Sequence, residues 1–147
     1  ESCTGGLLSK MLTDREGSSR FYVGGVVSYA NSAKETLLGI NKKILQQDGA
    51  VSEACVRSMA ESVRRKLGAD FALAISGIAG PGGGTETKPL GTTYLALSTR
   101  ERTRTMHQVL LRGHGTREQN RVLAAHLALD ALRTELLGFH ETGIPVN

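Results

Sequence analysis

The chain has no tryptophan, and aromatic residues make up only 4% of its 147 positions. A core must therefore be built from Leu, Val, Ile and Ala. The stacking platforms on which single-stranded nucleic acids are bound are equally scarce, so no nucleic-acid partner is expected. No apolar run approaches the length that crosses a bilayer and no signal peptide is legible, so the expectation is a soluble, cytoplasmic protein with no membrane partner. Only two cysteines occur, Cys3 and Cys55, in settings that form neither a metal-ligand spacing nor a disulfide framework; they read as free thiols in a reducing compartment. The Gly-x-x-x-x-Gly-Lys-Ser/Thr phosphate loop is missing, and Tyr29 and Lys34 do not have the Tyr-x-x-x-Lys spacing of short-chain dehydrogenases.

What is present fits one globular domain with 39% apolar and 22% charged residues. The net charge of +4 and pI near 9.3 suit an anionic partner. The basic residues are nevertheless spread: Arg64-Arg65-Lys66 sits at a helix end and Arg100, Arg102 and Arg104 lie about a turn. A phosphorylated small molecule is served as well by this charge as a nucleic acid.

Apolar spacing predicts a helix through Leu7, Leu8, Met11 and Leu12, closed by Gly17-Ser18-Ser19. Phe21 to Tyr29 reads as a buried strand. Asn31 or Ser32 can cap a short helix ending at Gly39, and Ile40 to Ala50 reads as polar connector. Ser52 caps a helix whose face carries Val56, Met59, Ala60, Val63 and Leu67, with Gly68 as its stop. Phe71–Ile75 and Thr92–Leu97 read as strands, and Thr105–Leu111 as the antiparallel return after a turn at 99–102. Thr116-Arg117-Glu118-Gln119 has capping-box form and opens a last helix to Gly138, followed by a tail over 139–147. The alternation predicts a three-layer α/β/α domain with a mixed, mostly parallel sheet of about five strands.

Three places could carry chemistry. Between the strands expected at Phe71–Ile75 and Thr92–Leu97, Ser76 to Thr85 holds Gly77, Gly80, Gly82, Gly83 and Gly84. A loop that bare gives up much chain entropy on ordering, and bare backbone is the usual cradle for phosphates and oxyanions. A plain mobile connection is the alternative. Ser2 precedes a helix start containing Gly5 and Gly6, where a nucleophile and N–H donors could share a corner, although a serine there can equally be a simple N-cap. Cys3 is a rival nucleophile, but no histidine lies in a segment that would face it. Tyr29 at a strand end and Lys34 in the first turn of the next helix should project from one sheet edge. The helix dipole there lowers the cost of an uncharged lysine, the state a base requires. A solvated surface lysine is the plainer reading.

Taken together, Glu1-Ser-Cys-Thr-Gly-Gly6, Gly17-Ser-Ser19, Gly25-Val-Val-Ser-Tyr-Ala-Asn31 with Lys34, Gly49-Ala-Val-Ser52, and Ser76 to Thr85 with Lys88-Pro89 and Gly91-Thr92 closely resemble the C-terminal domain of the CinA family, the nicotinamide mononucleotide deamidases. The resemblance covers Glu1 to about Leu137 and implies a domain over 1–138. It implies hydrolysis of the carboxamide of nicotinamide mononucleotide to the acid and ammonia in pyridine nucleotide recycling, with no cofactor and no metal. It implies that Ser2, Tyr29, Lys34 and Ser76 stand at the reacting centre. Thr4, Gly5, Gly6, Asn31, Gly77, Ile78, Ala79, Gly80, Gly82, Gly83 and Arg117 would line the substrate. The family fold normally places a helix and a strand before the Glu-Ser-Cys-Thr-Gly-Gly motif, and the resemblance implies that both are missing here. The family also has Gly-Asp-Arg where this chain has Gly113-His-Gly-Thr-Arg117, a departure that bears on Arg117 as a phosphate ligand. A non-catalytic nucleotide-binding or protein-interaction module is the competing reading, and self-association into a homo-oligomer is compatible with either.

Overall fold

The computed structural model describes residues 1–141, apart from the side chains of 112, 113 and 139–141; the expected tail from 142 to 147 lies outside the described residues. Five helices, α1 (Leu7–Thr13), α2 (Asn31–Leu38), α3 (Lys42–Gln47), α4 (Glu53–Leu67) and α5 (Arg117–Glu141), are assigned with three strands, β1 (Ala72–Gly77), β2 (Thr92–Ser98) and β3 (Thr103–Val109).

Local signals placed most of these ends. Ser52 accepts from the Cys55 N–H at the start of α4, and Gly68 closes it at φ 62°. Thr116 and Gln119 exchange the two hydrogen bonds of a capping box before α5. Gly39 ends α2 at φ 67°, but its N-cap is Ala30 with no side-chain bond, so neither Asn31 nor Ser32 caps it. The expected connector at 40–50 contains α3: Asn41 accepts from the Lys43 N–H, and Ile40 and Leu45 are buried beneath it. Helix α5 continues past Gly138 to Glu141, because a single glycine costs about 1 kcal/mol and does not by itself stop a long helix.

The strands form one antiparallel sheet in the order β1-β2-β3, with Ile75 opposite Leu95 and Leu95 opposite Met106. Period-two alternation divides the two cores. Ile75 and Leu95 pack with Leu8, Ala124, Ala125 and Ala128 on the α1/α5 side; Ala74 and Ala96 pack with Val56, Met59 and Ala60 on the α4 side. The layers are thus α/β/α as expected.

The sheet corrects the expectation of about five mostly parallel strands. The segment 21–29 is neither helix nor strand, with Phe21, Val23, Val27 and Tyr29 all about half exposed or more. Its apolar run was legible, but a strand also needs a neighbour on which to form a ladder. That neighbour is present only over one residue: the Glu1 N–H group bonds Val26 O and the Ser28 N–H bonds Glu1 O. Farther back along the segment, a cavity of about 400 Å³ separates Val23–Val26 from Ala72–Ala74.

Gly91, at φ 83°, lets β2 begin beneath the turn at 110–113. A methyl group there would overlap the Leu110 carbonyl oxygen, which is fixed backbone. Gly91→Ala is expected to destabilise the fold by about 3 kcal/mol or more, read as a fall of several degrees in Tm. An unchanged Tm would show that the two turns are not held against each other.

Candidate active site

Four chain segments meet where β1 ends. The turn before α1 brings Ser2, whose N–H bonds Ile75 O at 3.0 Å, so the serine sits beside the last residues of β1. Gly5 and Gly6, at φ 58° and 96°, make the left-handed turn that leads into α1. Lys34, in the first turns of α2, points inward and is 1% exposed. The loop after β1 and the start of α5 complete the group.

At the centre, Lys34 Nζ lies 3.0 Å from Ser2 Oγ, 2.7 Å from Ser28 O and 3.1 Å from Tyr29 O. The two carbonyl oxygens can only accept. A neutral amine with two N–H groups would satisfy both and leave its lone pair for the Ser2 hydroxyl proton. Burial pushes the Lys34 ammonium below the ordinary lysine value, an effect the Cys55 and Cys3 thiolates would oppose if they were ionised. They are not at neutral pH: burial pushes the Cys3 thiol up to about 11 and raises that of Cys55 as well. A thiol so protonated is a poor nucleophile, whereas the Ser2 hydroxyl lies within hydrogen-bond reach of the amine.

The other expected site residues are placed as follows. Tyr29 faces Lys34 with its carbonyl; its phenol, on a side chain 56% exposed, accepts from Arg117 Nη2 at 2.6 Å. The Ser76 hydroxyl donates to Ala50 O and holds β1 against the turn before α4. Thr4 is buried with its hydroxyl on the Glu1 carboxylate, and Asn31 is exposed at the first turn of α2. The N–H groups of Gly5 and Gly6 already have partners, Ser2 O and Glu1 Oε2, and that of Ile78 bonds Thr92 O. Gly77 lies within β1, where a methyl would press on Thr92 O. By contrast, the N–H groups of Ala79, Gly80, Gly82, Gly83 and Gly84 reach no acceptor in the protein among the described residues. Ala79 and Gly80 are buried and Gly82 to Gly84 face solvent, and five N–H groups in one loop without a protein acceptor are available to a bound anion.

The loop is braced by Arg117, already expected at the site, by Lys88 of the family motif, and by Asn120, which the sequence did not single out. Arg117 Nη1 donates to Gly80 O at 2.6 Å, Asn120 Nδ2 to Ala79 O at 3.1 Å, and Lys88 Nζ to Asp48 O and Val51 O. Arg121 Nη2 donates to Thr4 O at 2.8 Å, tying α5 to the serine turn. Arg117, Asn120 and Arg121 share one helical face at i, i+3 and i+4, a spacing visible in the sequence once Arg117 is suspected. None of the expected site residues lines the 400 Å³ cavity, which is bounded instead by Leu12, Val23, Met59, Val63, Leu73 and Leu132 among others. An apolar cavity by itself would point there; the buried lysine, hydroxyl and unpaired donors point to the end of β1.

The family model described as the CinA C-terminal domain matches residues 1–136. A CinA-like protein of Syntrophotalea carbinolica is 51% identical over 136 residues, covering 92% of this chain and 32% of the relative. One of Desulfovibrio desulfuricans is 48% identical over 149 residues, covering 99% and 33%. Among solved structures, the competence damage-inducible protein A of Klebsiella pneumoniae is similar at TM-score 0.87 and 38% identity, covering 92% of this chain and 83% of that one. The competence/damage inducible protein of Agrobacterium tumefaciens is similar at TM-score 0.87 and 37% identity, covering 90% and 80%. The chain spans about a third of the length of the curated relatives it matches. Among the described residues, no helix is long and apolar enough to cross a membrane.

Proposed function

The chain belongs to the CinA C-terminal domain family, and on that premise we propose that it is an amidohydrolase that converts nicotinamide mononucleotide to nicotinate mononucleotide and ammonia. One observation carries the reading: Lys34 Nζ is buried, 3.0 Å from Ser2 Oγ, with its other two directions taken by carbonyl oxygens. A surface lysine or a capping serine has no need of that arrangement.

In this reading Ser2 Oγ attacks the carboxamide carbon while its proton passes to neutral Lys34 Nζ. The carbonyl oxygen becomes an oxyanion, for which the unpaired N–H groups of Cys3 and Thr4, next to Ser2, and of the 79–84 loop are available donors. The tetrahedral adduct collapses, the C–N bond breaks, and Lys34 returns the proton to the leaving nitrogen, releasing ammonia. Water then attacks the Ser2 ester, giving up its proton to Lys34; the ester C–O bond breaks, Lys34 passes that proton to Ser2 Oγ, and the acid departs with the hydroxyl and the neutral amine restored. Tyr29 contributes its carbonyl to holding the amine. Its phenol, bonded to Arg117, stands at the rim and serves the substrate rather than the proton transfer.

Ammonia release from nicotinamide mononucleotide by the purified chain tests the proposal directly. Tight binding of the mononucleotide without ammonia would favour a binding module in its place. Arg117 tests the phosphate end. Its guanidinium holds Gly80 O and Tyr29 Oη and lies next to the orphan donors of the loop, where a charge-assisted pair to the 5′-phosphate is open to it. Arg117→Ala is expected to raise KM for the mononucleotide about tenfold and to leave activity on the phosphate-free nucleoside unchanged. Equal loss on both substrates would assign Arg117 to bracing the loop alone.

A further inference from the structure

Glu1 is 8% exposed, and its carboxylate receives five hydrogen bonds. Oε2 accepts from Thr4 Oγ1 at 2.7 Å, the Gly6 N–H at 3.1 Å and the Leu8 N–H at 3.0 Å. Oε1 accepts from the Ser9 N–H at 2.8 Å and Ser9 Oγ at 2.6 Å. Ser9 Oγ in turn accepts from Tyr22 Oη at 2.7 Å, a chain that passes close to Gly25, where a methyl would overlap the Tyr22 oxygen. With the Gly5 N–H on Ser2 O and the Leu7 N–H on Thr4 O, the donors at the start of α1 from Gly5 to Ser9 are all taken from within the chain. The N–H groups from Gly5 to Ser9 are thus closed to a substrate, whereas those of Cys3 and Thr4, directly after Ser2, have no acceptor in the protein among the described residues.

From this geometry we propose that Glu1 is a positioning residue, whose carboxylate clamps the turn carrying Ser2 so that Ser2 Oγ is held in line with Lys34 Nζ. The proposal rests on the reading of Ser2 as the nucleophile. Ser2 is the residue next to the clamp, and its own N–H is pinned to Ile75 O, so the peptide is held on both sides of the hydroxyl. The clamp works only as an anion. All five groups around it donate, so each oxygen must accept. Burial alone would raise the Glu1 pKa, but the hydrogen bonds of Ser9, Thr4 and the Ser9 and Leu8 N–H groups outweigh it and hold the carboxyl below its ordinary value. Glutamine has the same shape but would turn an NH₂ group toward N–H and O–H donors on one side.

Glu1→Gln is therefore expected to lower kcat for ammonia release by about 10- to 100-fold with KM within about twofold, the signature of a reacting group misplaced by less than a bond length. A fluorophosphonate that labels nucleophilic serines supplies a readout independent of the amide substrate: its rate of reaction with Ser2 should fall by the same factor, measured on protein shown to be folded by circular dichroism. Should Glu1→Gln fail to fold, Ser9→Ala removes a single one of the five bonds and is expected to lower both rates about three- to tenfold. A variant that loses Tm but keeps kcat and labelling rate makes Glu1 a helix cap only and overturns the proposal. A rise in KM with kcat preserved also overturns it, since Glu1 would then act on substrate binding. If the unaltered chain releases no ammonia yet its Ser2 is labelled, and labelling drops in Glu1→Gln, the clamp stands and the amide reading fails. Labelling that is unaffected in both variants sinks the clamp whatever the substrate proves to be.

Discussion

Ser2→Ala and Lys34→Met are each expected to lower kcat by about 10²–10⁴ or more, and the double variant should lose little beyond the worse single one. Unassisted, a serine hydroxyl is a weak nucleophile, and the only group placed to take its proton among the described residues is the amine 3.0 Å away. Methionine matches lysine in length and keeps the buried space filled, so the loss can be read as chemistry rather than collapse. The pH dependence follows from the direction of the Lys34 shift. Activity needs the neutral amine, and burial lowers the pKa of that amine, so the rate should climb with pH through a value below the ordinary lysine range and then level off. Protonation on the acid side would abolish the base and remove the rate. Steady-state kinetics of ammonia release between acid and alkaline pH checks both points. If Ser2→Ala keeps its kcat while Cys3→Ala loses it, the role passes to the thiol, against its raised pKa.

The loop gives the second large effect. Gly82→Val is expected to raise KM for the mononucleotide by about 10²-fold with Tm nearly unchanged. Gly82 has no left-handed backbone, and nothing lies within 4 Å of a Cβ added there, so the free protein can hold the larger side chain. Only a ligand seated on the orphan N–H groups would meet it. Gly80 and Gly83 make less clean probes. Both have positive φ, at 95° and 87°, and a methyl at Gly80 would overlap Leu90, so their replacement strains the fold before any ligand arrives. Isothermal titration of the mononucleotide against Gly82→Val separates the cases. Normal binding would put the cradle elsewhere, and a large fall in Tm would mean that the loop packs in a way its open surroundings do not disclose.

Local and long-range features differ in how far they could be read in advance. Helix α4 and the opening of α5 were set by their own residues, since Ser52, Gly68, Thr116 and Gln119 bond within four positions of themselves. Strands β1 and β2 were legible for the same reason, as apolar runs bounded by glycine. Ser2, Lys34 and the glycine loop could be picked out because a helix start, a lysine in a first helical turn and a bare loop are local signs, sharpened by the family motif they sit in.

Linear pattern thus defined most of the elements and the residues most apt for chemistry, because capping, period and backbone freedom act over a few residues. The pairing of the sheet, the course of 21–29 without a ladder, and the stripping of water from Lys34 against Ser2 emerged only when the chain was folded. The same holds for the bracing of the site by Glu1, Asn120 and Arg121, through contacts such as Arg121 to Thr4 that span 117 positions. Pairing and burial depend on which distant segment arrives alongside, and a linear pattern carries no record of that neighbour.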